Sequence, residues 1–304
     1  MRWARAAIGL CLTAGLAGSH PVSAQELEPR AYAASPVGVN FLVMAAGRSS
    51  GGVLVDPSLP VEDVDATVNT LSVGIGRTFN VFGRTGLAAA AVPYAWLSAS
   101  GRVGEDDRQV SRSGFADPRF KLSVNLVGGR AVNVAEFSRS PRPTIVGLSL
   151  GVAPPLGTYD GARLINLGAN RWSFKPEVGV SRQLGKWTFE GYVGAWLFTA
   201  NDSFYTGDSR RTQQPITTMQ GHTSYTFKPG LWLALNATWY AGGTTSIDGE
   251  DKGDLQRNSR LGATLSLPLV RGQTLKILTS TGATTRVGAD FRTVVAAWQI
   301  AWLD

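Results

Sequence analysis

The sequence predicts an all-β protein, a transmembrane antiparallel β-barrel of twelve strands. Stretches of alternating apolar and polar residues recur from about Pro36 to the end of the chain. They follow a segment with the features of an export signal, and no apolar run reaches the roughly 20 residues that a membrane helix needs. A chain that is exported and enters lipid without such helices can pair its backbone groups only in a closed barrel.

The first 24 residues have the pattern of a secretory signal peptide. Two arginines form the positive start, residues 6–17 form a short apolar core, and small residues at 22 and 24 suit cleavage. We expect the remainder, residues 25–304, to form a single barrel domain. The only cysteine, Cys11, lies in the signal segment, so neither a disulfide nor a thiolate metal site is predicted.

The composition suits a wall with one wet face and one lipid face. Charged residues make up 17% of the chain and the mean hydropathy is zero, whereas soluble proteins carry about a quarter charged residues. Removing the signal segment lowers Lys+Arg from 29 to 27 and leaves Asp+Glu at 22, so the net charge falls from +7 to +5. This charge is dispersed, and a nucleic-acid partner is not predicted.

Strand periodicity assigns side chains to two faces. In residues 231–240, one face would carry Leu231, Leu233, Leu235, Ala237 and Trp239, and the other Trp232, Ala234, Asn236, Thr238 and Tyr240. The same alternation separates charged from apolar residues in 119–126 and 260–267. A lysine or arginine facing the middle of a bilayer costs about 2–4 kcal/mol, so the polar sets should face the lumen.

Twelve such stretches give the predicted strands. They are 36–49, 67–81, 84–98, 114–127, 143–156, 172–183, 186–200, 214–228, 230–242, 257–270, 273–286 and 291–303. An even number places both termini on one side, as single-chain bacterial barrels require.

The links between these strands alternate between short and long, which predicts tight periplasmic turns and longer external loops. The short links carry glycine or proline and lie at 82–84, 184–186, 228–230 and 270–273. The long polar links lie at 50–66, 99–113, 157–171, 201–213 and 243–256. The link 128–142 breaks the rhythm, and we expect a short helix within it at 133–139.

Tryptophans near the predicted strand ends are interpreted as the aromatic girdles of a membrane barrel. The residues are Trp96, Trp172, Trp187, Trp196, Trp232, Trp239, Trp298 and Trp302. The alternative interpretation is that they fill a soluble core.

Several sequence stretches carry a family resemblance. They are PVGVNFL at 36–42, DPSLP at 56–60, SGFADPR at 113–119, PLGTYD at 155–160, LINLG at 164–168, NRWSFKPE at 170–177 and LQRNSRLGAT at 255–264. Taken in order, they resemble the phenol-degradation meta-pathway family of outer-membrane transporters over nearly all of the mature chain. The resemblance implies passage of small hydrophobic or aromatic (phenol-like) compounds across the bacterial outer membrane. One departure is the last residue, because such chains often end on an aromatic, whereas Asp304 ends this one.

Strand parity predicts a set of lumen-facing polar residues as the candidate substrate pathway. They are Arg119, Lys121, Lys175, Glu177, Glu190, Gln220, His222, Arg260 and Lys276. Two interpretations stay open, since these groups could offer a solute a polar path or could pair across the lumen and seal it as a structural barrel.

A lipid hydrolase is a further alternative. His222 and Ser224 stand two apart on one strand face, a spacing also found in the outer-membrane phospholipase, and Asn236 could orient the imidazole. The leading prediction is nevertheless a non-enzymatic channel, surrounded by outer-membrane lipids and lipopolysaccharide and acting on a small-molecule solute. No cofactor or metal is predicted, because the acidic stretch 248–254 lacks the ligand order of a calcium loop.

Overall fold

The computed structural model describes residues 28–54, 61–103, 106–205 and 207–303, so the predicted signal peptide lies outside the described residues. One short helix and seventeen strands follow in this order: β1 Val39–Leu54, β2 Val61–Val81, β3 Arg84–Val103, β4 Asp106–Phe115, β5 Arg119–Val127, α1 Val134–Phe137, β6 Ile145–Ala153, β7 Ser173–Leu184, β8 Trp187–Phe198, β9 Asn201–Phe204, β10 Ser209–Gln213, β11 Ile216–Lys228, β12 Leu231–Gly242, β13 Thr245–Ile247, β14 Glu250–Asp251, β15 Gln256–Pro268, β16 Gln273–Thr284 and β17 Gly288–Leu303. Among these residues, no helix has the length and apolar character needed to cross a membrane.

The larger sheet closes into an antiparallel barrel with twelve strand positions, which confirms the predicted fold. β4 and β5 follow each other along β3 and occupy one position, interrupted at 116–118. The ring is completed where β17 pairs with β1, and β2 pairs with both β1 and β3. Each of the twelve positions is thereby paired on both sides, and among the described strands of this sheet β4 alone keeps an open edge, since it pairs only with β3. Closure of this kind is the condition for a sheet to lie in lipid.

The two ends of the barrel differ, and we call them the turn end and the loop end. At the turn end, Gly83 and Gly272 adopt φ of 79° and 74°, as tight turns of this kind require. The predicted helix in the link 128–142 is present as α1, capped by the Asn133 side chain, which accepts a hydrogen bond from the Glu136 backbone N–H.

At the loop end four strands, β1 to β4, run further than predicted, whereas β6 ends at Ala153 rather than 156. β2 begins at Val61 rather than 67 and β4 at Asp106 rather than 114. The predicted loops 201–213 and 243–256 contain β9, β10, β13 and β14, which form a separate four-stranded sheet. We call β9, β10, β13 and β14 the arms of the smaller sheet. They carry few apolar residues, as in Ser209–Gln213 (SRRTQ), so they lack the apolar–polar alternation that predicted the other strands.

The outer face of the barrel is apolar and exposed, with Ile75, Leu122, Val193, Leu235 and Leu261 among its side chains. The inner wall has two parts. We call β17, β1, β2 and β3 the apolar half, because their inward side chains form two apolar clusters that include Phe41, Val43, Ala89, Ala91, Ala95, Leu97 and Val295. We call β7, β8, β11, β12 and β15 the polar half, because Lys175, Glu177, Glu190, Gln220, His222, Asn236 and Arg260 are buried there.

The girdle prediction is correct for some tryptophans and wrong for two. Trp96, Trp172, Trp187, Trp239 and Trp302 are exposed on the outer face. Trp196 and Trp232, with 3% and 1% of their surfaces exposed, point into the lumen instead. Trp196 and Trp232 each stand four residues from an inward-facing residue of the same strand, Tyr192 on β8 and Asn236 on β12. Because residues an even number apart on a strand point to the same face, both tryptophans must also point inward.

Candidate functional site

Residues 28–38 lie inside the barrel ahead of β1, and we call them the lumen segment. The backbone N–H of Arg30 donates to Glu190 Oε2 over 2.6 Å, and that of Ala31 donates to the Tyr192 hydroxyl over 3.1 Å. The Tyr32 ring fills a recess over Gly147 and Gly179, where a Cβ atom would come within 2.2 Å of the ring. The segment is therefore packed against the polar half of the wall.

Arg30 fixes the lumen segment to β11 and β12. Its φ of 68° turns the backbone sharply. The guanidinium donates to Ser224 Oγ over 3.1 Å and to Thr226 Oγ1 over 2.7 Å, and it lies 4.4 Å from the centroid of the Trp232 ring. A buried arginine held in this way adds charge to the lumen while its polar atoms remain bonded.

An ionic network joins the lumen segment to the wall. Lys121 Nζ lies 2.5 Å from Glu28 Oε2, and Lys175 Nζ lies 2.9 Å from Glu177 Oε2. Glu177 also accepts from Gln220 Nε2 over 3.1 Å and from the Tyr32 hydroxyl over 3.2 Å. Buried charges of both signs are thereby paired, as a low-dielectric interior requires.

The structure brings most of the predicted site residues into one region. Lys121, Lys175, Glu177, Glu190 and Gln220 contact the lumen segment or each other through the bonds above. Arg119 lines the same cavity as Lys121 and Lys175, and the His222 ring lies 4.9 Å from that of Tyr192.

Two predicted site residues lie apart from this region. Arg260 donates to the backbone oxygen of Phe291 over 2.6 Å and to Ser280 Oγ over 3.2 Å. Lys276 Nζ donates to Gln299 Oε1 over 2.8 Å. Both therefore bond to strands at the border between the polar and apolar halves.

The residues of the hydrolase alternative form only part of a catalytic arrangement. Asn236 Oδ1 lies 2.9 Å from His222 Nδ1, as an orienting group should, and Thr264 holds the Asn236 amide by accepting from its Nδ2. Ser224 Oγ, however, accepts from the Arg30 guanidinium, and no hydrogen bond joins it to His222 in the described part of the chain. His222 Nε2 is buried and has no partner there. The three residues also face the lumen, away from lipid.

The link 154–172, which we call the inner loop, folds into the loop end of the barrel. Leu167 is buried against Val68, Leu97 and Phe291 of the apolar half. The Asp117 carboxylate, at the interruption between β4 and β5, accepts from the backbone N–H groups of Gly157 and Ala169, both over 2.8 Å. The sequence predicts a long loop at 157–171, at this end of the barrel, but no pattern in it predicts the inward fold.

A cavity lies on each side of the lumen segment. One is lined by Arg30, Arg142, Ser181 and Thr188. The other is lined by Glu28, Arg119, Lys121, Lys175, Glu177 and Trp196. Cations therefore outnumber carboxylates around the second cavity, which contains three of the predicted pathway cations.

Comparisons with known proteins agree with this architecture. The crystal structure of an outer membrane channel from Pseudomonas putida F1 superposes with a TM-score of 0.78 at 21% identity, covering 90% of this chain and 99% of that one. The beta domain of the Bordetella autotransporter BrkA gives a TM-score of 0.50 at 12% identity, covering 88% and 100%. No curated protein matches the sequence. Because a family model matches residues 45–291, which is most of the chain, the protein belongs to the family described as "Putative MetA-pathway of phenol degradation".

Proposed function

We propose that this protein is a bacterial outer-membrane channel for small hydrophobic or aromatic solutes, which it passes or binds in its lumen without chemical change. The observation that carries the proposal is the interior of the closed barrel, where a cavity lined by charged residues is bordered by a segment that does not belong to the wall. The family description, which names phenol degradation, supports an aromatic solute.

In this proposal the turn end faces the periplasm and the loop end faces outward, where lipopolysaccharide surrounds the barrel. The predicted pathway residues supply the polar side of the route. They are Arg119, Lys121, Lys175, Glu177, Glu190, Gln220, His222, Arg260 and Lys276. We assign a structural role to His222, Ser224 and Asn236. The Ser224 hydroxyl, which would be the nucleophile, is bonded to Arg30 and not to His222, the base that would activate it.

Passage depends on the lumen segment, since it crosses the space between the two cavities. It is attached mainly through side chains, including Arg30, Tyr32 and Glu28, rather than by strand pairing. Attachments of this kind can be released locally without opening the sheet.

Liposome swelling tests the proposal, using phenol-like solutes and sugars of graded size. Wild-type protein should admit phenol-like solutes and exclude the larger sugars. A variant lacking residues 28–34 should admit those sugars several-fold faster, because the cavity border is gone. A Phe82→Ala variant, changed at an exposed turn, is the control and should match wild type. If neither wild type nor the deletion variant admits any solute, the barrel is sealed and the proposal is wrong.

A further inference from the structure

Two stacked aromatic rings with a cation at each end form a column on the inner wall, which runs from the loop end to the cavity lined by Glu28, Lys175 and Glu177. The Arg171 guanidinium lies 4.3 Å from the Phe198 ring centroid. Phe198 and Trp196 are stacked, with centroids 6.5 Å apart and planes 10° from parallel. Lys175 Nζ lies 5.7 Å from the Trp196 ring centroid, and both residues line the cavity that also contains Glu28 and Glu177.

Three polar atoms along this column are buried and have no hydrogen-bond partner among the described residues. They are Arg171 Nη1, Trp196 Nε1 and Thr218 Oγ1. Thr218 is 1% exposed and lies on β11 beside Gly194, two residues from Trp196 on β8. Two of the three are N–H donors and the third is a hydroxyl. Because a buried donor without an acceptor is costly and rare in native proteins, these atoms indicate a missing acceptor.

The charge at the top of the column favours an anionic acceptor. Burial, and then the nearby positive charge of Arg211, lower the pKa of Arg171 to about 9. Arg211 itself has a buried Nε without a partner among the described residues, and its guanidinium lies 5.0 Å from the Phe204 ring. At the lower end, Arg119 lines the same cavity as Lys121 and Lys175, which are paired with Glu28 and Glu177. An anion entering at the top of the column would relieve the repulsion between Arg171 and Arg211.

We infer that this column is a binding site for an aromatic ring carrying an oxyanion, such as an aromatic carboxylate. The ring would pack against the stacked Phe198 and Trp196, while the oxyanion would accept from Trp196 Nε1 and pair with Arg171 or Lys175. This inference rests on the proposed function, because the solute must enter the lumen to reach the column.

Other ligand classes fit the column less well. A neutral hydrocarbon would leave the three polar atoms, including Arg171 Nη1, without an acceptor. A metal cation would meet donors and positive charges where it needs oxygen ligands. A short aliphatic anion would satisfy the charges but would leave the stacked rings without a packing partner. The combination of donors, cations and rings therefore selects an aromatic anion.

Competition measurements on the intact barrel in lipid bilayers test this inference, with benzoate as the probe. Benzoate should inhibit chloride conductance at lower concentrations than acetate, cyclohexanecarboxylate or benzyl alcohol. The Trp196→Phe variant keeps an aromatic ring and removes the indole N–H. The Arg171→Gln variant removes the guanidinium charge of a residue that lies in the inner loop, outside the strands. Each should weaken benzoate inhibition about tenfold and leave that by benzyl alcohol unchanged. Trp187→Phe, on the outer face, is the matched control and should match wild type.

The outcomes separate this inference from the proposed function. Suppose that benzyl alcohol and phenol cross in the swelling assay. If benzoate then inhibits no better than the other probes, or if it inhibits both variants as strongly as wild type, the aromatic-anion site is wrong and the channel stands. If no solute crosses and none inhibits, the channel itself is wrong. Should Trp196→Phe fail to give a folded barrel by circular dichroism, Arg171→Gln decides alone, since Arg171 lies in the inner loop.

Discussion

The two halves of the inner wall have the same strand geometry but hold different inserted segments. The apolar half presents small side chains such as Ala91 and Ala95, and the inner loop packs Leu167 against it. The polar half presents charged and hydroxyl side chains, and the lumen segment bonds to it through Arg30 and Tyr32. Since the strand geometry is the same, the chemistry of the inward side chains accounts for the different segments packed on the two sides of the lumen.

The largest effect should come from unpairing a charge in the polar half. Lys175→Met leaves the Glu177 carboxylate, which is 3% exposed, without its ion-pair partner at 2.9 Å. Removing one partner of a buried pair typically destabilises a protein by about 3–5 kcal/mol. Urea unfolding in lipid vesicles, followed by tryptophan fluorescence, measures the change. The double variant Lys175→Met/Glu177→Gln should recover much of the loss; if the single variant is as stable as wild type, the pair does not hold this half together.

A smaller effect is expected from the contact between the inner loop and the apolar half. Leu167→Ala removes a buried side chain from the cluster around Phe291. Such truncations destabilise a protein by about 2–5 kcal/mol, and we expect a loss at the lower end of this range because Leu167 lies in a loop. The same unfolding assay applies. Leu164→Ala, in the same loop but 57% exposed, is the matched control and should have little effect. Equal effects of the two substitutions would mean that Leu167 does not anchor the loop.

The smallest effect should occur at the border between the halves. Gln299→Ala removes the acceptor that Lys276 meets over 2.8 Å, and Lys276 is only partly buried. A hydrogen bond to a charged group that water can partly replace should contribute about 1 kcal/mol. Asn69→Ala, which removes an exposed acceptor of Arg48, is the control and should change stability by less than about 0.5 kcal/mol. A loss as large as that for Lys175→Met would show that the border is as tightly coupled as the polar half.

The barrel itself could be predicted because one face of each strand meets lipid and the other does not. In Leu231–Gly242 this requirement places an apolar residue at every second position, and the predicted inward set, including Asn236 and Thr238, is buried. The arms of the smaller sheet escaped prediction, because strands such as Ser209–Gln213 are not constrained by a lipid face. Periodicity reports the solvent on each side of a strand, and it vanishes where both sides are wet.

The candidate site was predicted only in part, for a related reason. Parity assigned Lys175, Glu177 and Gln220 to the inner wall, but it could not show which residues lie opposite them. Tyr32 and Arg30 belong to a segment without periodicity, and their partners are more than a hundred residues away in the chain. Trp196 was assigned to a girdle by residue type, although its parity with Tyr192 already indicated the inner face. Strand parity was the more reliable signal there.

The pairing of β17 with β1 has a consequence for how the protein is made. Sixteen register pairs, from Val39 with Leu303 to Leu54 with Gly288, join residues from opposite ends of the described chain. Without β17, β1 and β16 would each present an edge of unpaired N–H and C=O groups, and each such group costs several kcal/mol in hydrocarbon. We therefore expect a chain truncated before residue 288 to have no stable form in a bilayer.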